Sequence, residues 1–127
     1  MSLGYLNIGC GSVFHLSWNN IDSHQDFNLV KIHDIRKGLL FANGHLDVCY
    51  SSHVLEHLTQ EQSQALLIKC MRVLKSNGVI RLVVPDLEAI ALNYLSTLER
   101  SRSGDTAAQA DYEWIMLELL DQMVREF

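Results

Sequence analysis

The chain has 127 residues, 48% of them hydrophobic, and a formal charge of −5 at pH 7. That is enough chain for a single domain, 1–127, with a substantial core, and its ten Lys and Arg are too scattered to make the basic surface that nucleic acid needs. No apolar run approaches the roughly 18 residues of a membrane span and no leader pattern is seen, so neither nucleic acid nor a membrane is expected as a partner.

Strand and helix signals alternate along the chain. "GYLNIG" is a short apolar run ending in glycine, as a buried strand is. "WNNID" gives a weaker second strand, and "LVKIHDI" alternates apolar and polar residues in the manner of a half-exposed edge strand. After a turn signal at Asn43 and Gly44, "LDVCYSS" is apolar again. Thr59 and Gln62 form a capping-box pattern ahead of Leu66, Leu67, Cys70, Met71, Val73 and Leu74, an apolar helical face. "SNG" at 76–78 is expected to stop that helix, and "VIRLVVP" to follow as a buried strand closed by the only proline, Pro85. Asp86 is placed to cap a helix running through Leu92 and Leu95. "SRSGDT" at 101–106 reads as a loop, and Tyr112, Ile115, Met116, Leu119, Met123 and Phe127 recur at helical spacing. Strand, helix and strand in this order imply an α/β fold with a parallel sheet. Three cysteines at unrelated spacings, Cys10, Cys49 and Cys70, fit a reduced cytoplasmic protein.

In open parallel sheets ligands bind beyond the carboxyl ends of the strands. The first strand ends in "NIGCGS", with Gly9 and Gly11 flanking Cys10; the second ends in Asp22, the third in Asp34, the fourth in Ser51, Ser52 and His53. Glycines at such a corner permit positive φ and close approach of a ligand, and an acid at the second strand's end can accept hydrogen bonds from two ribose hydroxyls. Taken singly, a GxG is also a plain turn, and an Asp ending a strand is also a turn former or helix cap. A dinucleotide would need G-x-G-x-x-G and a phosphate-binding helix. Phe14 stands at the third glycine position, and the ten residues between Gly11 and Asp22 must also hold the second strand. A three-turn helix of about eleven residues does not fit there. S-adenosyl-L-methionine carries no phosphate, so it needs the corner and the acid without the helix.

In order, "LNIGCGS", "WNNID", "HDIRKGL", "LDVCYSSHVLEHL", "RVLKSNGVIRLVVPDLE" and "NYL" resemble the class I S-adenosylmethionine-dependent methyltransferases, over roughly residues 4–95. The branch they resemble most is the small predicted bacterial methyltransferases with a shortened first helix. The resemblance implies a Rossmann-like sheet of strand order 3-2-1-4-5, with S-adenosyl-L-methionine as cofactor. It implies that Gly9, Cys10 and Gly11 form the methionine-side corner, that Asp22 binds the ribose, that Asp34 and Ile35 flank the adenine, and that Ser51, Ser52 and His53 close the site beside the methyl. Asn7 stands where many relatives carry an acid, which is expected to weaken the hold on the cofactor's amino group. "KSNG" replaces the usual "KPGG", and strands six and seven of a complete member are not visible. The acceptor expected is a small molecule or sugar. A catalytically inactive adenosylmethionine-binding or interaction module, and a nucleotide-binding oxidoreductase, are the alternative readings.

"HVLEH" at 53–57 admits three roles. His53 can be a general base that takes a proton from the acceptor. The stretch can simply line the pocket. His53, Glu56 and His57 can also hold a metal, zinc or a transition ion rather than magnesium. A zinc peptidase is disfavoured by the short helix and the lack of a third ligand. The strand "VIRLVV" is expected at an open sheet edge. The apolar tail from Thr106 to Phe127, with Trp114 and Leu120 beside its main stripe, is expected to cover the sheet's open end or a second copy of the chain in a homodimer. The chain stops mid-helix, so the domain is expected to be C-terminally incomplete.

Overall fold

In a computed structural model, residues 4–24 and 28–124 are described, with side chains up to residue 120. Five strands form one sheet: β1 (Tyr5–Ile8), β2 (Asn19–Asp22), β3 (Val30–Ile32), β4 (Leu46–Ser52) and β5 (Leu74–Val83). Their order is β3-β2-β1-β4-β5, and every pairing is parallel. The helices are α1 (Gln60–Val73), α2 (Leu87–Arg102) and α3 (Thr106–Val124), with 3₁₀ turns at Ile35–Lys37 and Leu55–His57. This is the α/β sheet the sequence predicts. The chain divides into two compact units, a sheet unit up to Val84 and a helical unit from Pro85.

In the sheet unit the core lies between one sheet face and α1. Leu6 and Ile8 on β1, Ile21 on β2 and Cys49 on β4 pack with Leu66, Cys70 and Val73 of α1 and with Ile35 and Leu39 from the connection after β3. The capping box forms: Thr59 accepts from the Gln62 N–H, and Gln62 accepts in return from the Thr59 N–H. Lys69 and Arg72 of α1 then donate to the carbonyls of Arg36, Leu39 and Phe41, fastening the irregular connection across the helix.

Three expectations here need correction. Met71 is 68% exposed, because the inward positions Leu66, Cys70 and Val73 leave it about 100° around the helix. The helix ends at Val73 rather than at "SNG", since Leu74 turns extended and pairs with Leu46. Pairing resumes only at Val48–Val79, so residues 75–78 bulge from the ladder, and a Cβ on Gly78 would lie 2.8 Å from the Leu74 side chain. Finally, β5 is not buried: among the described residues β4 is its one neighbour, and Val79, Leu82 and the following Val84 are exposed.

In the helical unit, Asp86 caps α2 by accepting from the Ala89 N–H. The helix continues to Arg102, past the expected loop start at 101, and Asp105 then caps α3 by accepting from Ala107 and Ala108. Ile90 and Thr97 are buried and the Tyr94 ring packs tilted against Tyr112, while Leu92 and Leu95, expected as the apolar stripe, are exposed. The buried face of α2 is instead the one that carries Tyr94 and its contact with Tyr112 of α3. Tyr112, Ile115, Met116 and Leu119 of α3 are half-buried, as their spacing predicts, and so is Glu118, whereas Met123 and Phe127 lie outside the described side chains.

Candidate functional site

The first strand exits through a corner built on left-handed glycines, Gly9 at φ +64° and Gly11 at φ +53°. The two are used differently. A Cβ on Gly9 would lie 2.4 Å from Cγ2 of the buried Val54, whereas one on Gly11 would meet nothing within 4 Å. Gly9 is therefore required by protein packing, and Gly11 faces open space. The corner's N–H groups all turn toward β2: Gly9 and Cys10 donate to the Ile21 carbonyl at 2.9 and 3.2 Å, and Gly11 donates to Oδ2 of Asp22 at 2.8 Å. Asp22 also accepts from the His24 N–H at 3.0 Å through Oδ1. A carboxylate oxygen has two lone pairs, so each keeps one for a ligand hydroxyl. Burial and the nearby Asp22 charge push the Cys10 thiol up from its ordinary value, which keeps it protonated.

No helix follows the corner. Residues 10–18 form an irregular loop held by two buried amides. Asn7 donates to the Val13 carbonyl and to Oδ1 of Asn20, and Asn20 donates to the carbonyls of His15 and Trp18. Trp18 packs between Tyr5 and Tyr50 on the sheet face away from α1.

The fourth strand exits beside this corner. His53 has φ +54°, an uncommon value outside glycine, and its N–H donates to the Val83 carbonyl at 2.9 Å. Val54 is buried against Gly9, and a single 3₁₀ turn brings Nδ1 of His53 to 3.3 Å from Oε1 of Glu56. Among the described residues no group of three His, Cys, Asp or Glu side chains converges as a metal site would require, so His53, Glu56 and His57 do not assemble as a triad.

A family model described as a methyltransferase domain matches residues 6–82, more than half of the chain. The chain belongs to the class I methyltransferases. No curated protein matches it. The match spans β1 through nearly all of β5, so it covers the corner, Asp22 and the β4 exit together.

In this methyltransferase the expected site residues fall into two groups. Gly9, Cys10, Gly11, Asp22 and His53 are brought to neighbouring strand ends. Asn7 sits at that corner, but its amide is tied to Val13 and Asn20. Asp34 lies two residues past β3, where it caps the 3₁₀ turn and pairs with the Arg36 guanidinium at 2.9 and 3.1 Å; that contact holds its carboxyl down at about 2. Ile35 is only 4% exposed, its side chain in the core. Ser51 is 2% exposed and its Oγ is buried without a partner, facing Cys49, Leu66 and Cys70 under α1. Ser52 is half-buried at the strand's last position.

Sequence reasoning missed Asn20 and Val54 as parts of this architecture, and weighed Glu56 only as a metal ligand. Consecutive asparagines in a strand, where Asn is disfavoured, are the signal that could have singled out Asn20. A cavity of about 450 Å³ lies along β2 and β3 with Trp18, Val30, Lys31 and Phe41 in its walls, and it includes none of Gly9, Gly11, Asp22 or His53. A shallower one of about 220 Å³ borders the corner's loop, lined by Asn7, Val13, Phe14, His15, Trp18 and Tyr50. The corner has the stronger claim as the site, because a ligand needs its open glycine and acid, and volume alone supplies neither.

Proposed function

We propose that this chain binds S-adenosyl-L-methionine at Gly9, Cys10, Gly11 and Asp22 and transfers the methyl group to a hydroxyl or amine of a small molecule or sugar. The observation that carries the reading is the orientation of the corner. Its three successive N–H groups are bonded to the end of β2. It thus offers a ligand open space over Gly11 and a carboxylate, but no cradle of outward N–H donors for a phosphate. That favours a nucleoside without phosphates over a dinucleotide. Three free thiols, Cys10, Cys49 and Cys70, support a reducing, cytoplasmic setting.

Adenosylmethionine, when bound, supplies a methyl on a sulfonium whose C–S bond breaks, the electron pair staying on sulfur as the acceptor's lone pair takes the methyl. The protein's share is mostly alignment: holding acceptor and methyl about 3–3.5 Å apart contributes several kcal/mol. Asp22 fixes the cofactor's ribose through its free lone pairs, and Gly11 leaves the backbone open to it. His53, half exposed on a pinned backbone, takes the acceptor's proton. Calorimetric titration of the full chain with adenosylmethionine, adenosylhomocysteine and a nicotinamide dinucleotide tests the reading. Binding of the first two and not the third is expected. Preference for the dinucleotide would overturn it, and adenosylmethionine binding without turnover on any small-molecule or sugar acceptor would point to the inactive module instead.

A further inference from the structure

Both carboxylate oxygens of Glu56 are closed to solvent and accept no aligned hydrogen bond, and the side chain as a whole is 16% exposed. Buried polar groups are nearly always paired, and a lone buried carboxylate costs several kcal/mol. An orphan of this kind calls for a partner that comes into line when the site is working. The nitrogen that faces it is Nδ1 of His53, at 3.3 Å from Oε1. That is just past a good hydrogen-bond length, and active-site hydrogen bonds are often long before the substrate arrives.

We propose that Glu56 is the positioning residue for His53: its carboxylate holds the imidazole in the Nδ1–H form and turns the Nε2 lone pair toward the methyl acceptor. The proposal rests on the reading of His53 as the base. Local geometry supports it at each step. The left-handed backbone of His53 and the 3₁₀ turn over Leu55–His57 that follows fold the chain back, so that Glu56 comes within 3.3 Å of the His53 ring. The His53 backbone cannot drift, because its N–H is bonded to Val83 and Val54 is wedged against Gly9. Half of the His53 side chain is exposed, which leaves the ring edge opposite Glu56 open to a ligand.

A carboxylate only accepts, so the shared proton must sit on Nδ1, and a neutral imidazole then carries its lone pair on Nε2. The acceptor's proton moves from oxygen or nitrogen to Nε2, the electron pair left behind forms the bond to the methyl carbon, and the imidazolium that results faces a buried anion. The proton returns to solvent after turnover, so His53 ends as it began. Glu56 touches neither methyl nor acceptor in this scheme.

The test needs no acceptor. Long-range proton–nitrogen spectra of the full chain with nitrogen-labelled histidine, at a pH where imidazole is neutral, report which ring nitrogen is protonated, and His53→Gln identifies the His53 signals. Wild-type protein should show His53 as Nδ1–H. Glu56→Met should move its proton to Nε2, the form free imidazole favours, while the melting temperature stays level or rises, because an apolar side chain of similar size replaces a desolvated carboxylate. Wild-type His53 found as Nε2–H would overturn the proposal, as would an unchanged His53 pattern in a folded Glu56→Met protein. If that variant does not fold, the wild-type spectrum decides alone. Failure of adenosylmethionine to bind in the separate calorimetric titration would overturn the proposed function and leave the tautomer result standing, so the two failures cannot be confused.

Discussion

The β1 corner and the β4 exit sit side by side at the carboxyl end of one sheet, yet they are finished in opposite ways. At the β1 corner the exposed backbone is tied off: three N–H groups bond to β2, and the Asn7–Asn20 pair takes three loop carbonyls. At the β4 exit, Ser51 Oγ and both Glu56 oxygens are buried without an aligned hydrogen bond, on either side of His53 at positive φ. Folded proteins tolerate such loose ends where function requires them or where little is lost by them. The comparison teaches that the corner's backbone is satisfied within the protein, whereas the exit leaves buried polar groups without aligned hydrogen bonds.

The largest break in that comparison should come from the contact that joins the two regions. Gly9→Ala sets a Cβ against Val54, a stiff β-branched neighbour with no room to move, and also forces alanine into left-handed backbone. Overpacking of about 1–3 kcal/mol and left-handed strain of about 1–2 kcal/mol add together. A fall in urea-unfolding stability of more than 2 kcal/mol is expected. Gly11→Ala carries only the strain, because its Cβ meets open space. Equal losses in the two variants would show that the corner and the exit do not pack as described.

Asn20→Ala removes the hub of the loop and strands the carbonyls of His15 and Trp18. About 1–3 kcal/mol of stability should be lost, visible in the same unfolding curves, since leaving buried polar groups unpaired costs on that scale. A neutral result would mean that water replaces the amide and that the loop is less closed than the exit.

Asp22→Ala addresses binding rather than stability. Charge-assisted hydrogen bonds to the ribose are worth roughly 1.5–3 kcal/mol each. Adenosylmethionine affinity by calorimetry should drop at least tenfold, which is about 1.4 kcal/mol, with the fold retained. Unchanged affinity with an intact melting temperature removes Asp22 from the ribose.

Ser51→Ala should run the other way. Its hydroxyl is buried without a partner, so deleting it is expected to leave stability level or raise it by up to about 1 kcal/mol, measured as a change in melting temperature. A loss of that size would reveal a hydrogen bond that the exit makes after all.

The smallest effect is expected from acid. The Arg36 guanidinium holds Asp34 at about 2, below the ordinary carboxylate value of 3.8. The folded state therefore binds fewer protons than the unfolded one, and the contribution is present above the ordinary value and is lost as pH falls toward 2. Arg36→Ala should reduce stability slightly at neutral pH, and the gap to wild type should close over that acid window. The contact is solvent-screened and small. A gap that does not change with pH would show that Arg36 acts through packing alone.

Much of this was legible in one dimension. Short apolar runs, an "NG" turn and a capping box gave five strands and their helices, because backbone hydrogen bonding and burial act locally and leave periodic traces. Glycines and acids at strand ends marked the candidate site, since only certain residues tolerate those turns. What the sequence could not say was which way each side chain goes once strands lie side by side. Ser51 and Ser52 are chemically alike neighbours, and the pleat buries the Ser51 side chain under α1 while Ser52 stays half-buried. Asp34 looks as available as Asp22 until folding brings Arg36 onto it. The sequence by itself determined the element order, the parallel sheet and the positions where a ligand could press on backbone. Tertiary structure alone decided that Gly9 is filled by Val54 while Gly11 is open, that Asn7 answers to Asn20, and that Glu56 faces His53. Each of these is set by atoms brought together from different strand ends or across a turn, and no local periodicity encodes such a meeting.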